Sequence, residues 1–143
     1  MRSTLMAAIA ATALIALAGC GSDSGNDGSD ANADVCTQFA AAHDELTQLA
    51  AAGPGVDGDV EKWTADKNAA IAKFGPLIDK ATGNVQTGLQ TLTAALPEDS
   101  LELTEADSAS GQAFVDNSAA VASSCESDGT SVTFAEFPLQ KFN

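Results

Sequence analysis

Apolar residues between positions 34 and 129 recur at steps of three and four, the period of a helix with one buried face. The first stripe is Val35, Phe39, Ala42, Leu46 and Leu49. Asp34 is placed to cap it, and Gly53-Pro54-Gly55 should end it. A second helix should begin at Asp57 or Asp59 and carry Val60, Trp63, Lys67, Ala70, Ile71 and Phe74, with Lys67 the one polar exception. Gly75-Pro76 then interrupts, and Pro76 suits the first turn of a third helix, although a kinked helix running through is the competing reading. Leu77, Ile78, Ala81, Val85, Leu89, Leu92 and Leu96 form the clearest stripe, weakened by Gly83 and Gly88 at about 1 kcal/mol each and closed by Pro97. Thr104-Glu105-Ala106-Asp107 has the composition of a helix start, followed by Ala106, Ser110, Phe114, Asn117, Val121 and Cys125 at helical spacing and an end near Asp128-Gly129.

The last 14 residues, 130–143, differ in kind. Val132, Phe134, Phe137, Leu139 and Phe142 favour extended backbone, and Pro138 bars a central place in a sheet. Three phenylalanines in so short a tail predict that it folds back over the helices; an exposed patch for a partner is the functional alternative. The pattern therefore predicts an all-α domain, a small antiparallel bundle of about four helices over residues 34–129 with an extended tail over 130–143.

Ahead of the helices, Arg2 is followed by an uncharged apolar run from Leu5 to Leu17, about 13 residues and short of the roughly 20 a membrane span needs. It ends in Leu17-Ala18-Gly19-Cys20. This order of charge, apolar run, small residues and cysteine resembles the lipobox signal peptide of bacterial lipoproteins. The resemblance implies removal of residues 1–19, diacylglycerol on the Cys20 thiol, commonly a further acyl chain on its amino group, and a place on the extracytoplasmic face of the cell membrane. It covers residues 1–20 and implies nothing about the activity of the domain. Two or more acyl chains anchor firmly where one binds marginally. Residues 20–33 then form the lipidated cysteine and a Gly/Ser/Asp/Asn-rich stretch, expected to be a flexible tether. The wider composition, high in Ala, Thr, Asp and Gly, loosely resembles small actinobacterial lipoproteins.

With Cys20 acylated, Cys36 and Cys125 remain. In an exported chain such a pair is expected to form a disulfide. The start of the first helix and the end of the last lie at one end of an up-down-up-down bundle, so topology agrees independently. The absence of Cys-x-x-Cys disfavours redox or zinc chemistry.

Composition narrows the partners. The formal charge is −14, and loss of Arg2 with the leader leaves five lysines as the only cations. Nucleic acid and anionic lipid headgroups are thereby disfavoured. Hydrophobic residues make up 45%, but much of that is alanine and aromatics are 5%, so the core should be thin. Candidate chemistry is sparse. His43, the single histidine, has acidic neighbours Asp44 and Glu45 and is expected at the surface or its boundary. Asp57-Gly58-Asp59-Val60-Glu61 starts like a calcium loop, but the twelfth position is Asn68 where a bidentate glutamate belongs. Gly-x-Ser-x-Gly and phosphate-binding glycine loops are missing. Both methionines fall in the leader, which removes methionine haem ligation. No cofactor or metal is expected. Trp63, Phe134, Phe137 and Phe142 are the candidate contacts for a partner or ligand. The missing active-site motifs and the apolar tail predict a non-catalytic binding or structural module of the envelope, able to meet an envelope protein; the alternative is a carrier holding a small hydrophobic or lipid ligand between the helices.

Overall fold

The computed structural model describes residues 27–139, with side chains from Asn32 onward. The expected leader (residues 1–19), Cys20 and Phe142 lie outside them. The elements are α1 (Asp27–Ala52), α2 (Val60–Ile71), α3 (Gly75–Lys80), α4 (Gly83–Ala94), a single 3-10 turn (Glu102–Thr104) and α5 (Ala109–Ser127). They form the expected all-α bundle with four antiparallel arms. No strand occurs among the described residues.

Cross-arm contacts give the direction of the second arm. Trp63 bonds to Leu49, Lys73 to Glu45, Lys80 to Gln38 and Thr82 to Asn32. As numbers rise from 63 to 82 they fall from 49 to 32, so α2 and α3 together descend along α1. The chain continues through Pro76 in one direction, and residues 72–74 keep helical turns, with Lys73 N–H donating to Ala70 and Phe74 N–H to Ile71. α2 ends at Ile71 and α3 starts at Gly75 with Pro76 in its first turn, so the expected break is present; what is corrected is the single third helix over residues 77–96, because the chain reverses only after α3. The reversal falls at Ala81-Thr82, both extended, followed by Gly83 at φ +59°. Gly83 is there because only glycine enters that left-handed turn without strain.

Two further boundaries move. α1 begins at Asp27, seven residues before the expected cap, so part of the expected tether is helical. The reason is visible at Asn32, which is buried. Its side-chain Oδ1 accepts from Thr82 N–H at 3.0 Å while its Nδ2 donates to Thr82 C=O at 3.2 Å and to Asp128 Oδ2 at 2.6 Å. One amide therefore ties α1, the α3–α4 reversal and the end of α5. The last helix starts at Ala109, not at Thr104. Asp107 adopts φ +53°, which interrupts any helix from Thr104, and Ser108 caps instead, its Oγ accepting from Gly111 N–H at 2.8 Å. A Cβ on Gly111 would lie 2.6 Å from the Leu103 carbonyl oxygen, so glycine lets the connection pack directly on α5.

The predicted disulfide joins Cys36 and Cys125, with Cα atoms 5.9 Å apart and 89 residues of separation. Chain-entropy arithmetic for a loop of that size gives an upper figure of about 4–5 kcal/mol. α5 ends beside it in a Schellman turn, Thr130 N–H donating to Cys125 C=O and Gly129 N–H to Glu126 C=O. That turn launches the tail back along the bundle. The core beneath is built from Phe39, Leu46, Phe74, Leu89, Leu92, Leu103, Phe114 and Val121, all fully buried.

Asn32→Ala should lower unfolding free energy by about 1–3 kcal/mol in urea titration, through loss of buried hydrogen bonds. Asn32→Asp should be at least as costly, since a carboxylate cannot donate to Thr82 C=O and faces Asp128. A neutral result for both would show that the reversal holds itself.

Candidate functional site

Besides the Asn32 tie, two buried polar centres lie inside the bundle, one at His43 and one at Lys67. The first centre is His43, which the sequence placed at the surface or boundary. It is 1% exposed. Phe114 stacks on it at 5.0 Å with planes 11° apart, and Phe134 from the tail lies 4.0 Å away, centroid to centroid. Its polar neighbour is Thr47, whose Oγ1 stands 3.3 Å from Nδ1. Burial lowers its pKa from 6.5 to about 4, and adjacent Asp44 only partly offsets this. The ring is accordingly neutral at pH 7 and enclosed by hydrocarbon. It has the surroundings of a core residue and not of an accessible general base. The sequence carried a sign of this: position 43 is four after Phe39 and three before Leu46, on the apolar face.

The tail provides one wall of this cage. Phe134 also meets the Phe39 ring edge-on at 5.8 Å, and Phe137 meets Phe114 at 4.9 Å. Ala135 N–H donates to Asp44 Oδ1 at 2.7 Å. Phe137 is 3% exposed and Phe134 is half-buried. Both serve as internal cover, in line with the fold-back expectation. Asp44 matters here as an acceptor for the tail, a role that sequence spacing did not reveal.

The second centre is Lys67, the polar exception of the second stripe. It is completely buried. Its Nζ donates to Ser100 C=O at 2.8 Å and Thr104 Oγ1 at 3.0 Å, and sits 3.6 Å from the centroid of the Trp63 ring. Burial pushes its pKa below the usual lysine value, opposed by Asp99. Ser100 Oγ in turn donates to Thr64 C=O, so α2 and the 97–104 connection are pinned together. Trp63 itself is half-buried, its Nε1 donating to Leu49 C=O at 2.6 Å.

Grooves open to solvent occur at several places among the described residues. One, of about 360 Å³, runs between α1 and α3 over Ala41, Ala42, Pro76 and Leu77, with Lys73 and Lys80 at its edges. Another, about 400 Å³, lies where α1 turns into α2, against Trp63 and the 53–59 loop. A further one, about 510 Å³, separates α5 from tail residues 131–134 and includes Phe134. Between the helices at the level of His43, the Phe74 ring meets those of both Phe39 and Phe114. Among the described residues no cluster of three or more His, Cys, Asp or Glu side chains is arranged to hold a metal. The sequence candidates are not gathered into one place: Trp63 stands at the α1–α2 turn, Phe134 and Phe137 under the tail, and Cys20 and Phe142 outside the described residues.

His43 gives the fold a definite pH dependence. Its folded pKa is below its unfolded one, so the unfolded chain takes up the proton first. Stability is fully present above about pH 6.5 and should fall as pH drops toward about 4. Urea midpoints at pH 7, 6 and 5 should decline for the native chain and decline less for His43→Phe. Lys67→Met should cost about 1–3 kcal/mol by loss of charge-assisted hydrogen bonds. It should also raise amide exchange selectively over Ser100–Thr104; uniform exchange across the chain would refute the pinning role.

Comparison with known protein families, with curated proteins and with solved structures finds no match to this chain.

Proposed function

We propose that the chain is a bacterial lipoprotein of the extracytoplasmic membrane face, anchored by acyl chains on Cys20, whose helical domain is a non-catalytic binding or structural module. The observation that carries this reading is the order Arg2, apolar run, Leu17-Ala18-Gly19-Cys20. The Cys36–Cys125 disulfide supports it, because such bridges persist outside the reducing cytosol and this one accounts for the other two thiols. No described helix is long and apolar enough to cross a membrane, so the reading places attachment on the lipid. The enclosed His43 and buried Lys67 favour binding over catalysis, since neither offers a reactive atom to solvent.

Because α1 begins at Asp27, only residues 21–26 separate Cys20 from the helix. They span at most about 20 Å, less than the tether expected from the sequence. The bundle would stand close to the headgroups on its disulfide-bearing end. α1 is 26 residues long, about 39 Å from end to end.

The test is metabolic labelling with an alkyne fatty acid. The native chain should incorporate label and sediment with membranes; Cys20→Ser should do neither. An unlabelled, water-soluble native chain would overturn the anchor.

A further inference from the structure

We propose that the groove around Trp63 is the docking surface of this module, and that its partner is a protein segment pairing an apolar side chain with lysine or arginine. The inference rests on the binding-module reading and names the surface and the chemistry of its partner.

The apolar part of the case is positional. Among the described residues, the exposed large hydrophobics are Val56 and Val60, at 104% and 43%. Both belong to this turn, and Val56 lines the groove together with Leu49 and Trp63. Elsewhere, Phe134 and Phe137 of the tail pack against the core. Among the described residues the exposed large apolar side chains thus fall at one end, the end remote from α1's first turn.

Trp63 is prepared as an anchor. Its indole N–H is committed to Leu49 C=O and one ring face is covered by the Lys67 ammonium, which is held in place by Ser100 and Thr104. The ring therefore presents its remaining surface without having to order itself on binding. Tryptophan is enriched among residues that dominate interface energetics, and prior rigidity lowers the entropy cost of association.

The polar rim decides the sign of the partner. Asp57, Asp59 and Asp66 border the groove against one cation, Lys62, which is already paired with Asp66. A segment with positive residues meets this rim favourably, and the chain's charge of −14 adds long-range attraction. A second copy would bring the same aspartates and the same net charge, so self-association through this face is disfavoured. With Lys67 already against the indole, the pairing assigns the apolar side chain to Trp63 and Val56 and the basic groups to the aspartates.

Trp63 is the sole tryptophan of the chain and reports directly on the groove. The lipidated protein, reconstituted in zwitterionic phosphatidylcholine vesicles, is titrated with a peptide of lysine, leucine and serine lacking aromatic residues. Vesicles without protein serve as blank. A saturable blue shift of the emission is expected, weakening as salt rises. Val56→Ser and Asp57→Asn, both changes at exposed positions, should each weaken binding about fivefold or more. Asp116→Asn on α5 should leave it unchanged. No shift, an equal shift with a glutamate-for-lysine peptide, or equal weakening by Asp116→Asn would overturn the proposal. Fatty-acid labelling of the same protein is independent of this titration, so a failed groove and a failed anchor are told apart.

Discussion

The bond between Cys36 and Cys125 is the constraint on which the rest of this bundle depends. α1 meets α5 along a much shorter stretch than α4 does, so the first and last arms are held together only in part by packing. The disulfide closes them covalently, and the Asn32 amide and the Schellman turn of α5 gather around the same end. An alanine-rich chain has little apolar area to offset its backbone entropy. Restricting the unfolded ensemble by a long loop compensates without any added side-chain volume.

The opposite end is held by polar contacts. Lys67 reaches from α2 to the 97–104 connection, Ser100 reaches back to Thr64, and Trp63 fastens α2 to the last turn of α1. A buried ammonium costs desolvation, and its lowered pKa records that cost. What it gains is a fixed orientation of α2 against the 97–104 connection. One end is thus tied by a covalent bond and the other by a hydrogen-bonded cation, with the aromatic cluster around His43 between them.

The sequence made the four stripes, the cysteine pairing and the folded-back tail legible, because each rests on local period or on topology. It hid the seam between the second and third arms. Leu77, Ala81, Val85 and Leu89 keep helical spacing straight across the reversal, so periodicity alone cannot see a turn at Thr82. The turn is fixed by Asn32, fifty residues earlier, inside a stretch whose composition reads as polar linker. Lys67 was visible as an anomaly on an apolar face, but its partners Ser100 and Thr104 lie in a connection with no pattern of its own. Ser108 was missed as a cap because the acidic run before it looks more like a helix start, and the left-handed backbone of Asp107 leaves no trace in composition.

How this chain distributes its few large apolar side chains also bears on where it can act. Phe39, Phe74 and Phe114 fill the centre, and Phe134 and Phe137 close it from the tail side. A tail so engaged is part of the core's enclosure, and drawing it away to meet a partner would expose His43 and three aromatic rings to water. Binding through the tail would therefore compete with folding, whereas binding at the α1–α2 turn would not. Val56 is already fully exposed, and Trp63 is already fixed by contacts that do not involve the solvent side of the groove. A surface that can be covered without first being uncovered carries the lower cost of association, and in this molecule that surface lies at the end opposite the disulfide.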